Sequence, residues 1–281
     1  MGFLSQSGYV LQQIITTIMA KEPYYTIDFT AVYCQFEVLV NDIPVIAMEA
    51  EGQMSPNIPV NFGISSSGEQ KIEIKLLPVA GEQYIDSRTA FQYTIKLFDV
   101  LNDKFVHEKD CGNFQFSEKE TAKKLPSLTH KSSFQAEIPY EMMTWEQSRD
   151  LLSISKDNSY LGTKLDLAYR KISGLINSKQ YEAYFEMIRN REKNMALSMY
   201  LSDEDSRARL NSLLEDFNNG FKMMPLPEDR VLKIYGNGKL ATYKKLNGEP
   251  AFFLYKEETG EELMLELMFH IPQGKEEFEV I

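Results

Sequence analysis

The sequence predicts an α+β protein of two domains, with an antiparallel β-sandwich first and helices packed on an antiparallel meander sheet second. Three observations lead to this prediction. Before about residue 140, apolar residues mostly alternate with polar ones, which is the period of a half-buried strand. After that point they recur at helical spacing, and beyond residue 225 turn signals separate short strands again. The 281 residues also suit two domains of ordinary size.

Residues 1–24 are predicted to contain an N-terminal amphipathic helix. Val10, Ile14, Ile15 and Met19 recur at helical spacing in a segment that polar residues interrupt. No Lys or Arg precedes this segment, no small-residue cleavage site follows it, and it is too short to span a bilayer. We therefore expect neither a signal peptide nor a membrane anchor here. The expected location is the cytoplasm, or the periplasm if a leader has been removed.

Residues 25–140 are predicted to form the β-sandwich. The clearest strands are residues 30–40, 71–77 and 91–97, in each of which the apolar residues share one face. Further strands are predicted at residues 45–48, 58–64, 104–106, 113–116 and 134–138. Seven or eight short strands with turn signals between them are typical of an antiparallel sandwich.

Residues 141–281 are predicted to form the α+β domain. Helices are expected from residue 144 and over residues 161–177, 178–200 and 202–219. Ser202 and the acidic residues after it are typical of a helix start, and Gly220 is typical of a helix end. Strands are then predicted at residues 231–235, 240–243, 251–255 and 263–271. Gly236-Asn237-Gly238 and Asn247-Gly248 are the hairpin turns between them.

The charge of the chain argues against two classes of partner. The formal net charge is −11, and acidic residues outnumber basic ones in both halves. A surface of this sign repels nucleic-acid phosphates and anionic membranes, and it favours encounter with basic proteins. We therefore predict a basic protein partner, no nucleic-acid binding and no membrane insertion, while the oligomeric state stays open.

No catalytic or cofactor motif is present in the sequence. His107, His130 and His270 lie far apart, and the chain has no CxxC pair, no G-x-S-x-G elbow and no phosphate-binding glycine loop. We therefore expect no enzyme activity, no metal and no cofactor. Cys34 and Cys111 are expected to be free thiols, with pairing in an oxidising compartment as the alternative.

The order of elements after residue 144 resembles the cone-shaped α+β fold of the nuclear transport factor two-like superfamily. Aromatic residues on the predicted strands are candidates to line a cavity between a curved sheet and the helices: Tyr235, Tyr243, Phe252, Phe253, Tyr255 and Phe269. Enzymes of that superfamily place His and Asp inside the cone. Here His270 is the candidate, and it is out of phase with the apolar face of its strand. The resemblance implies a small-molecule-binding or enzymatic cone domain with a sandwich accessory as one alternative function.

The whole chain resembles bacterial toxin-neutralising (immunity) proteins, such as those paired with type VI secretion effectors. The likeness lies in its acidic, motif-free, aromatic-rich and two-part character. It implies a protein that binds and occludes a basic toxin, and this is the leading functional hypothesis; an envelope structural protein is a further alternative. An acidic rim and aromatic anchors would carry such a contact. The predicted contact residues are Asp203, Glu204, Asp205, Glu257, Glu258, Glu261, Glu262, Tyr235, Phe253 and Tyr255.

Overall fold

The computed structural model describes residues 21–101, 104–121, 123–154 and 158–281. Within these residues the protein is α+β, with more strand than helix. The amphipathic helix predicted in residues 1–24 lies outside the described residues, except that Pro23 and Tyr24 begin the first strand. No helix in the described ranges is long and apolar enough to cross a bilayer.

The first part of the chain forms a seven-stranded antiparallel sheet. Its strands are β1 (Pro23–Val40), β2 (Ile43–Met54), β3 (Asn57–Pro59), β4 (Gly68–Leu77), β5 (Ala90–Leu101), β6 (Lys104–Gln115) and β7 (Leu128–Ala136). Five of them are hydrogen-bonded in the order β6-β5-β1-β4-β7, and β2 and β3 pair with β1 as well. The alternation seen in the sequence is confirmed in β4, where every second residue is buried.

A bend in β1 curls this sheet. Residues 23–32 pair with β5 and residues 35–40 pair with β4. Between them the register shifts at Tyr33, whose φ of 45° is left-handed. An extra residue of this kind bends a strand and increases its twist. The curl brings Phe114 of β6 onto His130 of β7, with ring centroids 3.3 Å apart. Because one strand runs through the whole curl, the predicted two-sheet sandwich is not confirmed and stays a prediction. The division into two domains also stays a prediction.

The helices are α1 (Glu118–Thr121), α2 (Leu151–Ile154), α3 (Asn158–Asn177), α4 (Tyr181–Ser198) and α5 (Asp203–Asn218). The helix predicted over residues 161–177 is confirmed by α3, and its apolar residues Leu165, Ala168 and Ile172 are buried. The predicted start of α5 is confirmed too. Ser202 accepts from the Asp205 amide, and the Asp205 carboxylate accepts from the Ser202 amide.

The helix predicted to begin at residue 144 is wrong, because helix α2 begins only at Leu151. The segment before it instead makes a turn, in which the Ser148 amide donates to the Trp145 carbonyl at 2.8 Å, followed by an isolated β-bridge. Ser148 pairs with Pro272, and the Arg149 amide donates to the Ile271 carbonyl at 2.9 Å. These pairings with the distant C-terminal chain satisfy the backbone groups that a local helix would otherwise have satisfied.

The C-terminal strands form two small antiparallel sheets. They are β8 (Lys222–Met223), β9 (Val231–Tyr235), β10 (Leu240–Lys244), β11 (Phe253–Lys256), β12 (Glu261–Met264), β13 (Phe269–His270) and β14 (Glu279–Val280). One sheet has the order β14-β13-β10-β9 and the other β12-β11-β8. The continuous strand predicted over residues 263–271 is therefore wrong. The chain leaves β12, bonds the Leu265 amide to the Phe252 carbonyl, and joins the other sheet at β13.

The helices and these small sheets share one aromatic core. Tyr169 of α3 lies at its centre, with its ring centroid 5.5 Å from Tyr243, 5.1 Å from Phe252 and 4.7 Å from Phe269. Three of the aromatic residues predicted to line a cone cavity are thus packed against a helix. Their burial holds α3 against both small sheets.

One buried cluster lies in the curled sheet, and a second is shared by the helices and the small sheets. A third buried cluster joins the curled sheet to the C-terminal strands. It contains Leu39, Ile43, Tyr235, Leu240 and Ile281. The Tyr235 hydroxyl donates to the Glu37 carboxylate, and the Asn237 amide donates to Asp42 Oδ2 at 2.7 Å. Burial, together with the negative charge of Glu37, raises the pKa of Tyr235, so its hydroxyl stays protonated as a donor.

Replacing Tyr235 with phenylalanine is expected to lower the free energy of unfolding by about 1.5–3 kcal/mol, the range for hydrogen bonds to charged groups. The change keeps the ring but leaves the Glu37 carboxylate with Lys75 at 3.5 Å as its remaining cation. Urea denaturation measures the loss. The matched control is Tyr93→Phe, which removes a bond to the neutral Ser132 hydroxyl and should cost less. Equal losses in the two variants would contradict a charged hydrogen bond at the junction.

Candidate functional site

A cavity of about 370 Å³ lies where the curled sheet, α4 and the C-terminal strands meet. We call it the junction cavity. Its apolar lining includes Ile43, Val45, Trp145, Leu240, Met268 and Ile281. The lining residues come from both halves of the sequence, which the third buried cluster helps to hold together. The volume falls within the usual range for small-molecule sites.

Two local features place the lining residues. Asn41 and Asp42 form a tight turn with φ values of 53° and 63°, which folds β2 back along β1. The start of β2 then presents residues 43–47 to the cavity. On α4, Arg191, Asn194 and Met195 line the cavity together, because residues three and four apart share one helix face.

Asn194 fixes the segment that closes another side of the cavity. Its side-chain oxygen accepts from the Met143 amide and its side-chain nitrogen donates to the Met143 carbonyl, both at 2.9 Å. This pair of hydrogen bonds holds the neighbouring Met142 and Trp145 at the cavity lining. The segment before α2 is therefore a wall of the site.

One wall of the cavity is polar, and it consists of Arg191, Lys244 and Glu266; we call it the polar wall. Lys244 is only 3% exposed, and its ammonium pairs with Glu266 Oε2. The Arg191 Nε donates to the Glu266 carbonyl at 3.1 Å, and the guanidinium pairs with Glu192. The other carboxylate oxygen, Glu266 Oε1, is buried and has no donor among the described residues. A buried acceptor in this condition is rare, because leaving it unpaired costs free energy.

The predicted acidic contact residues lie on two separate surfaces. Asp203, Glu204 and Asp205 are at the exposed start of α5, where hydrogen bonds from Ser202 lower the pKa of Asp205. The other four acidic residues are on the β11–β12 hairpin. A helix of 16 residues is about 24 Å long, and β8, which follows α5, pairs with β11. The two groups therefore sit at opposite ends of α5.

Two of the hairpin carboxylates already have partners within the chain. Glu257 pairs with Lys222 at 3.2 Å, and Glu262 pairs with Lys245. Glu258 and Glu261 are exposed near the turn, where Glu261 accepts from the Thr259 hydroxyl at 2.6 Å.

The predicted aromatic anchors do not come together either. Phe253 and Tyr255 are half-buried on β11, with the Lys245 ammonium 4.2 Å from the centre of the Phe253 ring. Tyr235 lies on β9 in the other small sheet, buried in the junction. In this structure Tyr235 thus offers no surface to a partner.

The remaining reactive side chains are buried or scattered. Cys34 and Cys111 are free thiols, and burial raises the pKa of Cys34 to about 12. Among the residues that the structure describes, no group of His, Cys, Asp or Glu is arranged to hold a metal ion. His270 is buried, and its Nδ1 lies 2.7 Å from the Ser148 hydroxyl. Its Nε2 is buried and has no hydrogen-bond partner among the described residues, so the pair lacks the orienting carboxylate of a catalytic triad.

The stability of the protein is expected to fall with acidification through His270. Burial lowers the pKa of His270, so the unfolded chain takes up a proton at a higher pH than the folded chain does. The contribution of His270 to the free energy of unfolding is therefore fully present well above the ordinary histidine pKa of about 6.5. As the pH falls below that value, the free energy of unfolding declines by up to about 1.4 kcal/mol per pH unit. Urea denaturation of the protein and of His270→Asn, from pH 7.5 to pH 5, measures this. If the free energy of unfolding had the same pH dependence in both proteins, its assignment to His270 would be contradicted. His130 is present in both proteins, so its effect cancels in the comparison.

Comparison with protein families, with curated proteins and with solved structures finds no match for this chain. The proposals below therefore rest on the geometry of the chain itself. Sequence reasoning missed the polar wall, since its contacts join residues 22 and 75 positions apart.

Proposed function

We propose that the chain is a binding protein and that its ligand is a small molecule with an apolar body, held in the junction cavity. The observation that carries this proposal is the composition of that cavity, which has apolar walls and one compact polar wall. Small-molecule sites typically combine a mostly apolar lining with a few polar groups that fix the orientation of the ligand. This is the ligand-binding alternative of the sequence analysis, at a different place from the predicted cone.

The apolar lining predicts how affinity depends on the ligand. Each methylene group moved from water into the cavity contributes about 0.8 kcal/mol. Binding should therefore strengthen along a series of lengthening alkyl chains and stop strengthening once the cavity is full. A site on an open surface would give no such end point.

We also propose that the two large buried clusters correspond to two units of one chain, residues 25–140 and 141–281. Each cluster draws its buried side chains from one of these ranges. The smaller third cluster contains residues from both. The junction cavity would then lie between the units, which is a common position for ligand sites.

Trp145 provides the test, because it is the single tryptophan of the chain and it lines the cavity. The neutral fluorescent probe N-phenyl-1-naphthylamine should quench Trp145 on binding and should saturate. Ala47→Phe places a ring in the cavity lining and is expected to raise the Kd of the probe by about tenfold or more. Gln53→Phe adds the same ring at an exposed position of β2 and should leave the Kd unchanged. Equal binding to all three proteins would refute the proposal.

A second candidate is the neutralisation of a basic bacterial toxin, the leading hypothesis from the sequence. The β11–β12 hairpin supports it, because Glu258 and Glu261 are exposed near its turn and the half-buried Tyr255 is paired with the exposed Glu262. Carboxylates around aromatic anchors suit a basic protein surface.

The test of the second candidate is a pull-down that compares two charge variants. The double variant Glu258→Lys/Glu261→Lys should lose a basic protein that the unmodified chain retains from bacterial lysate. Glu82→Lys, at an exposed site in the other half of the chain, should still retain it. Retention by the hairpin variant would remove this surface from consideration.

A further inference from the structure

The polar wall offers a hydrogen-bond donor and a hydrogen-bond acceptor side by side. A lysine ammonium has three N–H donors, and in the described part of the chain the one acceptor bonded to Lys244 Nζ is Glu266 Oε2. The adjacent Glu266 Oε1 is a buried acceptor with no donor among the residues that the structure describes. Glu266 Oε1 is closed off in this structure, and the Glu266 side chain, which is 35% exposed, must turn for a ligand to reach it. A ligand group that then satisfies both atoms accepts from the lysine and donates to the glutamate.

The charges of the polar wall are already compensated. Of the lining residues, Lys244 pairs with Glu266, and Arg191 pairs with Glu192. Arg209, which shares Glu192, is 41% exposed and lies outside the lining, so its charge is screened by water. A carboxylate head group would approach the unpaired oxygen of Glu266, and an ammonium head group would approach Lys244. Burying either charge here would cost desolvation without a free counter-charge to offset it.

We infer that the ligand of the junction cavity carries a neutral head group with a donor and an acceptor, such as a primary amide or a primary alcohol. The inference rests on the proposed function and specifies the ligand class of the same site. The oxygen of the head group accepts from Lys244 Nζ, and its N–H or O–H donates to Glu266 Oε1. The alkyl or aryl body lies against Leu240, Met268 and Ile281.

Displacement of N-phenyl-1-naphthylamine by compounds with one alkyl chain tests the head group. Decanamide and decanol are expected to bind about tenfold or more tightly than decanoate, decylammonium and methyl decanoate, which lacks the donor. The inference is overturned if decanoate or decylammonium binds as well as decanamide, or if methyl decanoate equals the alcohol. In either of those cases the proposed function survives, because the cavity still binds. Absence of binding by the probe and by every compound overturns both.

Two variants of the polar wall should change which ligand head group binds most tightly. Glu266→Gln keeps an oxygen that can accept from Lys244 but removes the negative charge, so decanoate should become the tighter ligand relative to decanamide. Lys244→Gln removes the cation and leaves the negative charge of Glu266 uncompensated, so decylammonium should gain affinity relative to decanamide. Each variant is read as a ratio of affinities within one protein, and either one suffices if the other fails to fold. An unchanged order of head groups in a folded variant would overturn the inference.

Discussion

Replacing Glu266 with alanine is expected to lower the free energy of unfolding by about 3–5 kcal/mol, the usual cost of leaving one partner of a buried ion pair alone. Lys244 is almost fully buried in β10, the strand between β9 and β13. Without Glu266 its ammonium would stay in the interior with no counter-charge. Urea denaturation monitored by circular dichroism measures the loss.

Three controls separate this effect from a general loss of contacts. Lys244→Met should cost less, because the Glu266 side chain is 35% exposed and can turn toward water. The double variant Lys244→Met/Glu266→Leu should recover much of the stability, since it replaces the pair by apolar groups. Glu276→Ala removes a carboxylate that is 73% exposed and should cost less than about 1 kcal/mol. A loss at Glu266 no larger than the loss at Glu276 would contradict the account of the polar wall.

Replacing Gly236 with alanine is expected to lower the free energy of unfolding by about 2–5 kcal/mol, from two separate costs. The φ of Gly236 is +60°, where a side chain costs about 1–2 kcal/mol. A Cβ at this position would lie 2.5 Å from Trp145 Nε1 and 2.8 Å from Leu240 Cγ, and such overpacking costs about 1–3 kcal/mol more. Because Trp145 and Leu240 line the junction cavity, the variant should also shift the fluorescence of Trp145.

Gly274→Ala is the matched control for Gly236. Its φ of +80° carries a similar backbone cost, but no atom lies within 4 Å of the added Cβ. We therefore expect a loss of about 1–2 kcal/mol and no change in Trp145 fluorescence. Equal losses of stability at the two glycines would show that Trp145 does not pack against the hairpin turn as described.

Elements whose signals are local were predictable from the sequence. The helical spacing of Leu165, Ala168 and Ile172 identifies α3, and the Ser202–Asp205 pair identifies the start of α5, because each signal lies within a few residues of the structure it determines. The same holds for the alternation along β4.

Elements that depend on distant chain segments were not predictable. The residues after Thr144 have a helix-start pattern, yet Ser148 and Arg149 bond to the chain near residue 271. The apolar alternation from Leu263 onward resembles one strand, but its two ends hydrogen-bond to different sheets. Local propensity is a weak preference, and tertiary pairing overrides it.

The candidate site likewise contains residues that were predictable from the sequence and residues that were not. The acidic residues of the β11–β12 hairpin are conspicuous in the sequence because they are clustered. Lys244 stands beside Lys245 and has the pattern of a surface residue, although it is buried against Glu266. No local pattern distinguishes the two lysines, because burial of the first depends on a partner that the fold brings from the segment between β12 and β13.

Native mass spectrometry with decanamide tests the central claim most directly, because it counts ligands on the folded chain. The junction-cavity account predicts one decanamide on the unmodified protein and on Gln53→Phe, and none on Ala47→Phe at the same concentration. No adduct of either decanamide or N-phenyl-1-naphthylamine on the unmodified protein, or equal adducts on all three proteins, would contradict a ligand site in the junction cavity.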